Sequence, residues 1–153
     1  MRILIVSQYF WPENFRINDI VEFLISKGHS VDILTGYPNY PEGKIFKNYK
    51  ENPNNFKTYF GANIIRIPVR LRRKSTKLDL FLNYLTFILS SIIFGGFKLR
   101  KKKYDVIFTF ATSPITVALT SIYFSKLKNT KSVLWVLDLW PDILEELQIL
   151  NNK

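Results

Sequence analysis

The sequence predicts an α/β domain built on a doubly wound parallel sheet, and three observations carry that prediction. Short apolar runs such as Ile3-Leu4-Ile5-Val6 lack polar alternation, as strands covered on both faces do. Segments with apolar residues at helical spacing separate those runs. The chain opens as strand, loop, helix, glycine and strand, the right-handed βαβ unit with which such domains commonly begin.

Each element follows in order. After the first strand, Ile17, Ile20, Val21, Leu24 and Ile25 form one stripe of a helix, and Gly28 is suited to end it in a left-handed conformation. Val31 to Leu34 is the second strand. Thr35 to Lys44, rich in proline, glycine and tyrosine, is a loop, and residues 45–62 show no period that defines an element. Asn63 to Val69 reads as a third strand, with Pro68 at its edge or end. A long apolar helix covers Leu80 to Phe97, and Tyr104 to Phe110 is a fourth strand. Ser113-Pro114 is a helix start, and Ile115, Ala118, Leu119, Ile122 and Leu127 form the stripe expected to be buried. Ser132 to Leu137 is a fifth strand. It leads into Asp138-Leu139-Trp140-Pro141 and a short acidic helix through Leu150.

Composition bounds the function. A chain of 153 residues is one domain with room for a core. It has no cysteine and one histidine, so thiolate metal sites, disulfides and histidine clusters are not expected, and no metal is assigned. The formal charge of +10 matches two clusters, Arg70, Arg72, Arg73, Lys74 and Lys77, and Lys98, Arg100, Lys101, Lys102 and Lys103. Between them, Leu80 to Phe97 carries no charge and reaches the roughly 18-residue lower limit of a membrane span. Three readings stay open: a buried core helix, a helix lying on an anionic bilayer with its basic ends at headgroups, and a span. Nucleic acid is not expected as a partner, because the cations flank an apolar helix and do not interleave with aromatics on a polar face.

In such sheets the loops at the carboxyl ends of strands form the ligand crevice. Those loops bring Gln8, Trp11, Glu13, Asn14, Arg16, Tyr37, Asn39, Ser113 and Trp140 together as candidate binding residues. Aromatic faces beside hydrogen-bonding side chains suit a sugar. The first loop has no glycine, so neither a dinucleotide fingerprint nor a P-loop is present. Asp138, at the end of an apolar strand, is the candidate catalytic carboxylate; a helix cap is the alternative. Glu13 either binds substrate hydroxyls or sits on the surface in the first helical turn. Arg16 meets a phosphate or pairs with Glu13. His29, at the opposite end of the sheet, reads as structural.

Four stretches carry a resemblance to a known family: residues 5–19 (from Ile5-Val6-Ser7-Gln8-Tyr9-Phe10-Trp11-Pro12-Glu13), 34–44 (Leu34-Thr35-Gly36-Tyr37-Pro38-Asn39-Tyr40-Pro41-Glu42-Gly43-Lys44), 113–119 and 134–141. Together they resemble the amino-terminal domain of bacterial GT-B glycosyltransferases, the glycosyltransferase 4-like half, nearest to the L-fucosamine-type transferases of O-antigen, capsule and colanic-acid assembly. The resemblance implies a Rossmann-like domain over residues 1–153, incomplete at its carboxyl end and without the donor domain. It implies the acceptor-binding half of an enzyme that moves a sugar from a nucleotide sugar, a co-substrate held mainly by the other domain, to a lipid-linked oligosaccharide; no cofactor is implied. It also implies a place at the cytoplasmic face of the inner membrane, with Arg70, Arg72, Arg73, Lys74, Lys98, Arg100, Lys101, Lys102 and Lys103 toward anionic lipid, and a separate donor-domain chain as a possible partner. The alternative is a non-catalytic membrane anchor that recruits a catalytic chain.

Overall fold

The computed structural model describes residues 1–72, 76–112 and 114–137. Six strands form one sheet in the order β3-β4-β2-β1-β5-β6. They are β1 (Arg2–Ser7), β2 (Ser30–Gly36), β3 (Thr58–Tyr59), β4 (Ala62–Ile67), β5 (Val106–Ala111) and β6 (Lys131–Val136). All neighbours run parallel except the two-residue β3, which pairs antiparallel with the start of β4. The chain winds outward from β1 through β2 to β4, then returns to the other side of β1 for β5 and β6. The switch point therefore lies between β1 and β5, where Ser7 stands beside Phe110.

The helices are α1 (Arg16–Ser26), α2 (Lys47–Glu51), α3 (Lys77–Ser90), α4 (Gly96–Leu99) and α5 (Ala118–Lys128). A π turn, Ser91–Gly95, joins α3 and α4, so Lys77–Leu99 is one helix of 23 residues. Thr76 caps it by accepting a hydrogen bond from the Asp79 N–H at 3.2 Å. On one face of the sheet, Ile17 and Val21 of α1 pack on Ile3, Ile5, Ile33 and Ile64. On the other, Phe87 and Leu99 of the long helix and Phe124 of α5 pack on Leu4, Val6, Leu34 and Ile107. Gly95 lets the long helix settle onto this face, since a Cβ there would stand 2.9 Å from Leu34 Cδ2 and 3.2 Å from Phe124 Cζ.

The α/β class and the predicted strands and long helix agree with this architecture, with two differences. Residues 45–62, where no period is visible, hold α2, a 3₁₀ turn at Pro53–Phe56 and β3, held by aromatic contacts and not by a stripe. The larger difference is α5. Ile115, Leu119, Ile122 and Leu127 were expected inward, yet each is about half exposed, and the inner face carries Val117, Thr120, Ser121 and Phe124. Ser121 can face inward because it closes a hydroxyl chain, accepting from Thr109 at 2.5 Å and meeting Ser132 at 2.7 Å, whereas the buried Thr120 Oγ1 has no partner among the described residues. Hydroxyls matched across β5, α5 and β6 decide the helix's orientation against its hydrophobicity. The predicted helix beyond Pro141 lies outside the described residues.

Candidate functional site

The loops leaving β1 and β2 are clasped together by one carboxylate. Glu13, 3% exposed, accepts at Oε1 from the backbone N–H of Asn39 and of Tyr40, each at 2.7 Å, and at Oε2 from Phe10 N–H at 3.1 Å. Burial pushes its carboxyl above the ordinary range, while those three donors and nearby Arg66 pull it down. Asn18 secures the same loop, donating to the Glu13 carbonyl at 2.8 Å and accepting from Trp11 N–H at 3.3 Å. Arg66 reaches up from β4, donating to the Gly36 carbonyl at 2.7 Å and to the Trp11 carbonyl. Burial lowers its pKa to about 10, partly offset by Glu13 and Tyr49.

Aromatic rings fill the space between these polar ties. Tyr9 stacks on Phe15 at 5.5 Å and meets Tyr40 at 5.2 Å, and burial drives its hydroxyl well above the usual tyrosine range. Trp11 packs against Phe56 and Tyr59, and Tyr37 against Tyr49. Gln8 is buried and donates to Asn83 of the long helix at 2.6 Å, so the β1 loop is also fixed to the far face of the sheet. Gly43 holds the β2 loop down with φ of +67°, because a Cβ there would fall 2.0 Å from the Arg72 carbonyl oxygen. The result is an aromatic rim cross-tied by hydrogen bonds.

The structure places the predicted site residues unevenly. Gln8, Trp11, Glu13, Tyr37 and Asn39 do come together, but the polar groups of Gln8, Glu13 and Asn39 are turned to internal bonds; Asn39 Nδ2 donates to the Tyr37 carbonyl at 2.7 Å. Asn14 is exposed. Arg16 pairs with Asp19 at 3.3 Å on the surface and not with Glu13. His29 meets the chain's amino group at 3.4 Å, far from the rim. Asp138, Ser113 and Trp140, with Arg73 and Lys74, lie outside the described residues. Of the basic clusters, Arg70 pairs with Asp79 at 3.0 Å, and Arg72 donates to Tyr84 at 2.7 Å while lying over the Tyr9 and Tyr84 rings. Lys98 donates to the Arg66 carbonyl at 2.8 Å and Lys102 to Asp32 at 2.7 Å. Lys101 and Lys103 are exposed, and Arg100 lies 4.2 Å over the Phe97 ring.

Sequence reasoning missed Glu42, Asn48 and Phe56. Pro12, Pro41 and Phe56 form apolar walls, and Glu42, Lys47 and Asn48 a polar edge, around an open depression of about 390 Å³ on the rim. The signal was thin: Asn48 and Phe56 fall in the stretch without periodicity. Apolar walls beside a carboxylate, an amide and an ammonium can take a ring that has both CH faces and hydroxyls. Among the described residues, no group of three or more His, Asp or Glu residues is gathered as for a metal.

Strand order, switch point and helices on both faces define a Rossmann-like α/β fold. Among solved structures, the chain is similar to the crystal structure of the glycotransferase of kitacinnamycin, with a TM-score of 0.61 and 11% identity over 95% of this chain. It spans 34% of that protein's length, and at such identity the likeness concerns the fold. No family model and no curated protein sequence matches the chain.

Proposed function

We propose that this chain is the acceptor-binding half of a glycosyltransferase that moves a sugar from a nucleotide sugar to a lipid-linked glycan in cell-surface polysaccharide assembly, O-antigen or capsule. The observation that carries the reading is the clasped rim: two loops at the carboxyl ends of β1 and β2, locked by Glu13 and Arg66, present a preformed depression with apolar walls and a polar edge. A rigid site of that composition binds without spending free energy on ordering its loops. The fold likeness to a glycosyltransferase supports the class. In this reading the rings of Phe56 and the two prolines stack on a sugar face, and Glu42 and Asn48 accept and donate to its hydroxyls. Asp138 is the proposed carboxylate near the reacting sugar, and Ser113 and Trp140 complete the acceptor side. The nucleotide sugar is held by a donor domain, in the same polypeptide or a separate chain, at the cytoplasmic face of the inner membrane.

The test is a calorimetric titration of the chain with a short prenyl-diphosphate-linked glycan and, separately, with nucleotide sugars. The glycan binds and Glu42→Gln weakens it about tenfold, as loss of a charged hydrogen bond of about 1.5 kcal/mol requires. Nucleotide-sugar binding without glycan binding overturns the assignment of this half to the acceptor.

A further inference from the structure

We propose that the outer faces of the long helix and α5 form one apolar platform that lies flat on an anionic bilayer, embedded at the headgroup boundary without crossing it. The long helix is long and apolar enough to span by composition. Its packing argues otherwise. Its inner face is spent on the fold: Asn83, fully buried, accepts from Gln8 at 2.6 Å, Asp79 is buried against Arg70, and Phe87 and Leu99 sit in the core with Leu4 and Val6. Crossing a bilayer would pull those side chains from their partners into hydrocarbon, where an unsatisfied polar group is costly.

The outer face is what remains, and it is apolar. Phe81, Leu85, Leu89, Ile93 and Phe97 follow one another at four-residue steps and are 36% to 65% exposed. The π turn, with more residues per turn than an α-helix, partly corrects the angular drift that four-residue steps otherwise accumulate, which helps keep this row on one side. The reversed helix α5 adds Leu119, Ile122 and Leu127, also exposed. The two rows meet: Ile93, Phe97 and Leu127 line a common groove of about 410 Å³, with Arg100 and Lys128 at the same groove. Two neighbouring helices that both turn apolar residues outward, one of them burying serine and threonine to do so, form a continuous surface that water does not favour.

Charge decides what covers it. Lys101, Lys103, Lys126 and Lys131 are exposed around the carboxyl ends of the two helices, which lie together there because Lys128 donates to the Leu99 carbonyl at 2.6 Å. No salt bridge engages any of these lysines among the described residues. An apolar face with cations along one end matches acyl chains beside anionic headgroups. Arg70 and Arg72, tied to Asp79 and Tyr84, belong to the fold and not to this contact. In this pose the sheet face covered by the long helix and α5, and not the face covered by α1, is turned to the membrane.

This inference deepens the membrane part of the proposed function and rests on it; its test does not read glycan binding. The chain is floated with vesicles of phosphatidylcholine alone and with 30% phosphatidylglycerol added, a probe composition of roughly bacterial charge density. The wild type floats with the anionic vesicles and is released by alkaline carbonate. Leu119→Ser with Ile122→Ser lowers bound protein more than tenfold at an unchanged melting temperature, and so does Arg100→Gln with Lys101→Gln and Lys103→Gln. Retention through carbonate would show a span and overturn the flat pose. Binding that ignores the apolar pair, or no vesicle binding with a dimer in light scattering, also overturns it; the dimer would assign the face to a second copy. A chain that floats yet binds no glycan keeps the platform and sinks the acceptor reading; a chain that binds glycan and does not float does the reverse.

Discussion

Replacing Glu13 by alanine distinguishes a loop clasp from a substrate ligand. The carboxylate accepts three backbone N–H bonds, at 2.7, 2.7 and 3.1 Å. Hydrogen bonds to a charged group contribute about 1.5–3 kcal/mol each, and a buried N–H left without a partner costs about 1–3 kcal/mol. Water can reach Tyr40, which is 41% exposed, but not Phe10 or Asn39, so two N–H groups are stranded. Removing the carboxylate also leaves buried Arg66 without its nearby negative charge. Glu13→Ala is therefore expected to lose about 3–5 kcal/mol, a large share of the roughly 5–15 kcal/mol of a typical domain. Glu13→Gln keeps one oxygen for Asn39 and Tyr40 but turns an amide toward Phe10 N–H, and is expected to lose about 1–2 kcal/mol. Urea unfolding of the full chain, followed by tryptophan fluorescence, measures both. An alanine variant within about 0.5 kcal/mol of wild type, the range of an ordinary surface change, would refute the clasp.

Three further outcomes follow from the same contacts. Gly43→Ala must move the Arg72 backbone or abandon a left-handed φ, so it is expected to cost about 2–4 kcal/mol in the same unfolding assay. Burial works to raise the Asp32 carboxyl, but hydrogen bonds from Lys102, Asn63 and Tyr104 outweigh it and hold the pKa below its ordinary value. The stability it supplies is therefore present above the ordinary carboxylate range and lost as pH falls through the depressed folded value; Asp32→Asn is expected to be less stable at pH 7 by about 1–2 kcal/mol and to converge on wild type in acid. In α5, Ser121→Ala is expected to cost about 1 kcal/mol by breaking the hydroxyl chain, whereas Leu119→Ser changes stability by less than about 0.5 kcal/mol, the reverse of what hydrophobicity alone implies.

The parts of the fold legible in the sequence are those where burial and periodicity coincide. β1 and β2 are sandwiched between helices, so most of their residues are apolar on both faces, with buried Asp32 an exception that its hydrogen bonds allow, and α1 presents one stripe to one sheet. α5 was legible as a helix and illegible in orientation, because an apolar stripe says that a face exists and not which way it turns. Its inward turn is set by Thr109 and Ser132, on strands far from the helix in pattern although near in space. Glu13 shows the same limit at the rim. A glutamate beside aromatics at a strand end reads as a ligand or as a surface residue, and the three N–H groups that occupy it instead come from two loops whose conformation no spacing rule supplies. Arg66 was invisible for a related reason: within an apolar strand, its role depends on carbonyls of Trp11 and Gly36 that only the fold brings near.

The proposed sugar transfer to a lipid-linked acceptor is tested most directly by mass spectrometry of lipid-linked saccharides extracted from cells with and without this chain. Loss of the chain is expected to leave an acceptor shortened by one sugar to accumulate, and restoring the wild-type chain to clear it. Lipid-linked saccharides of unchanged length and abundance would rule that transfer out.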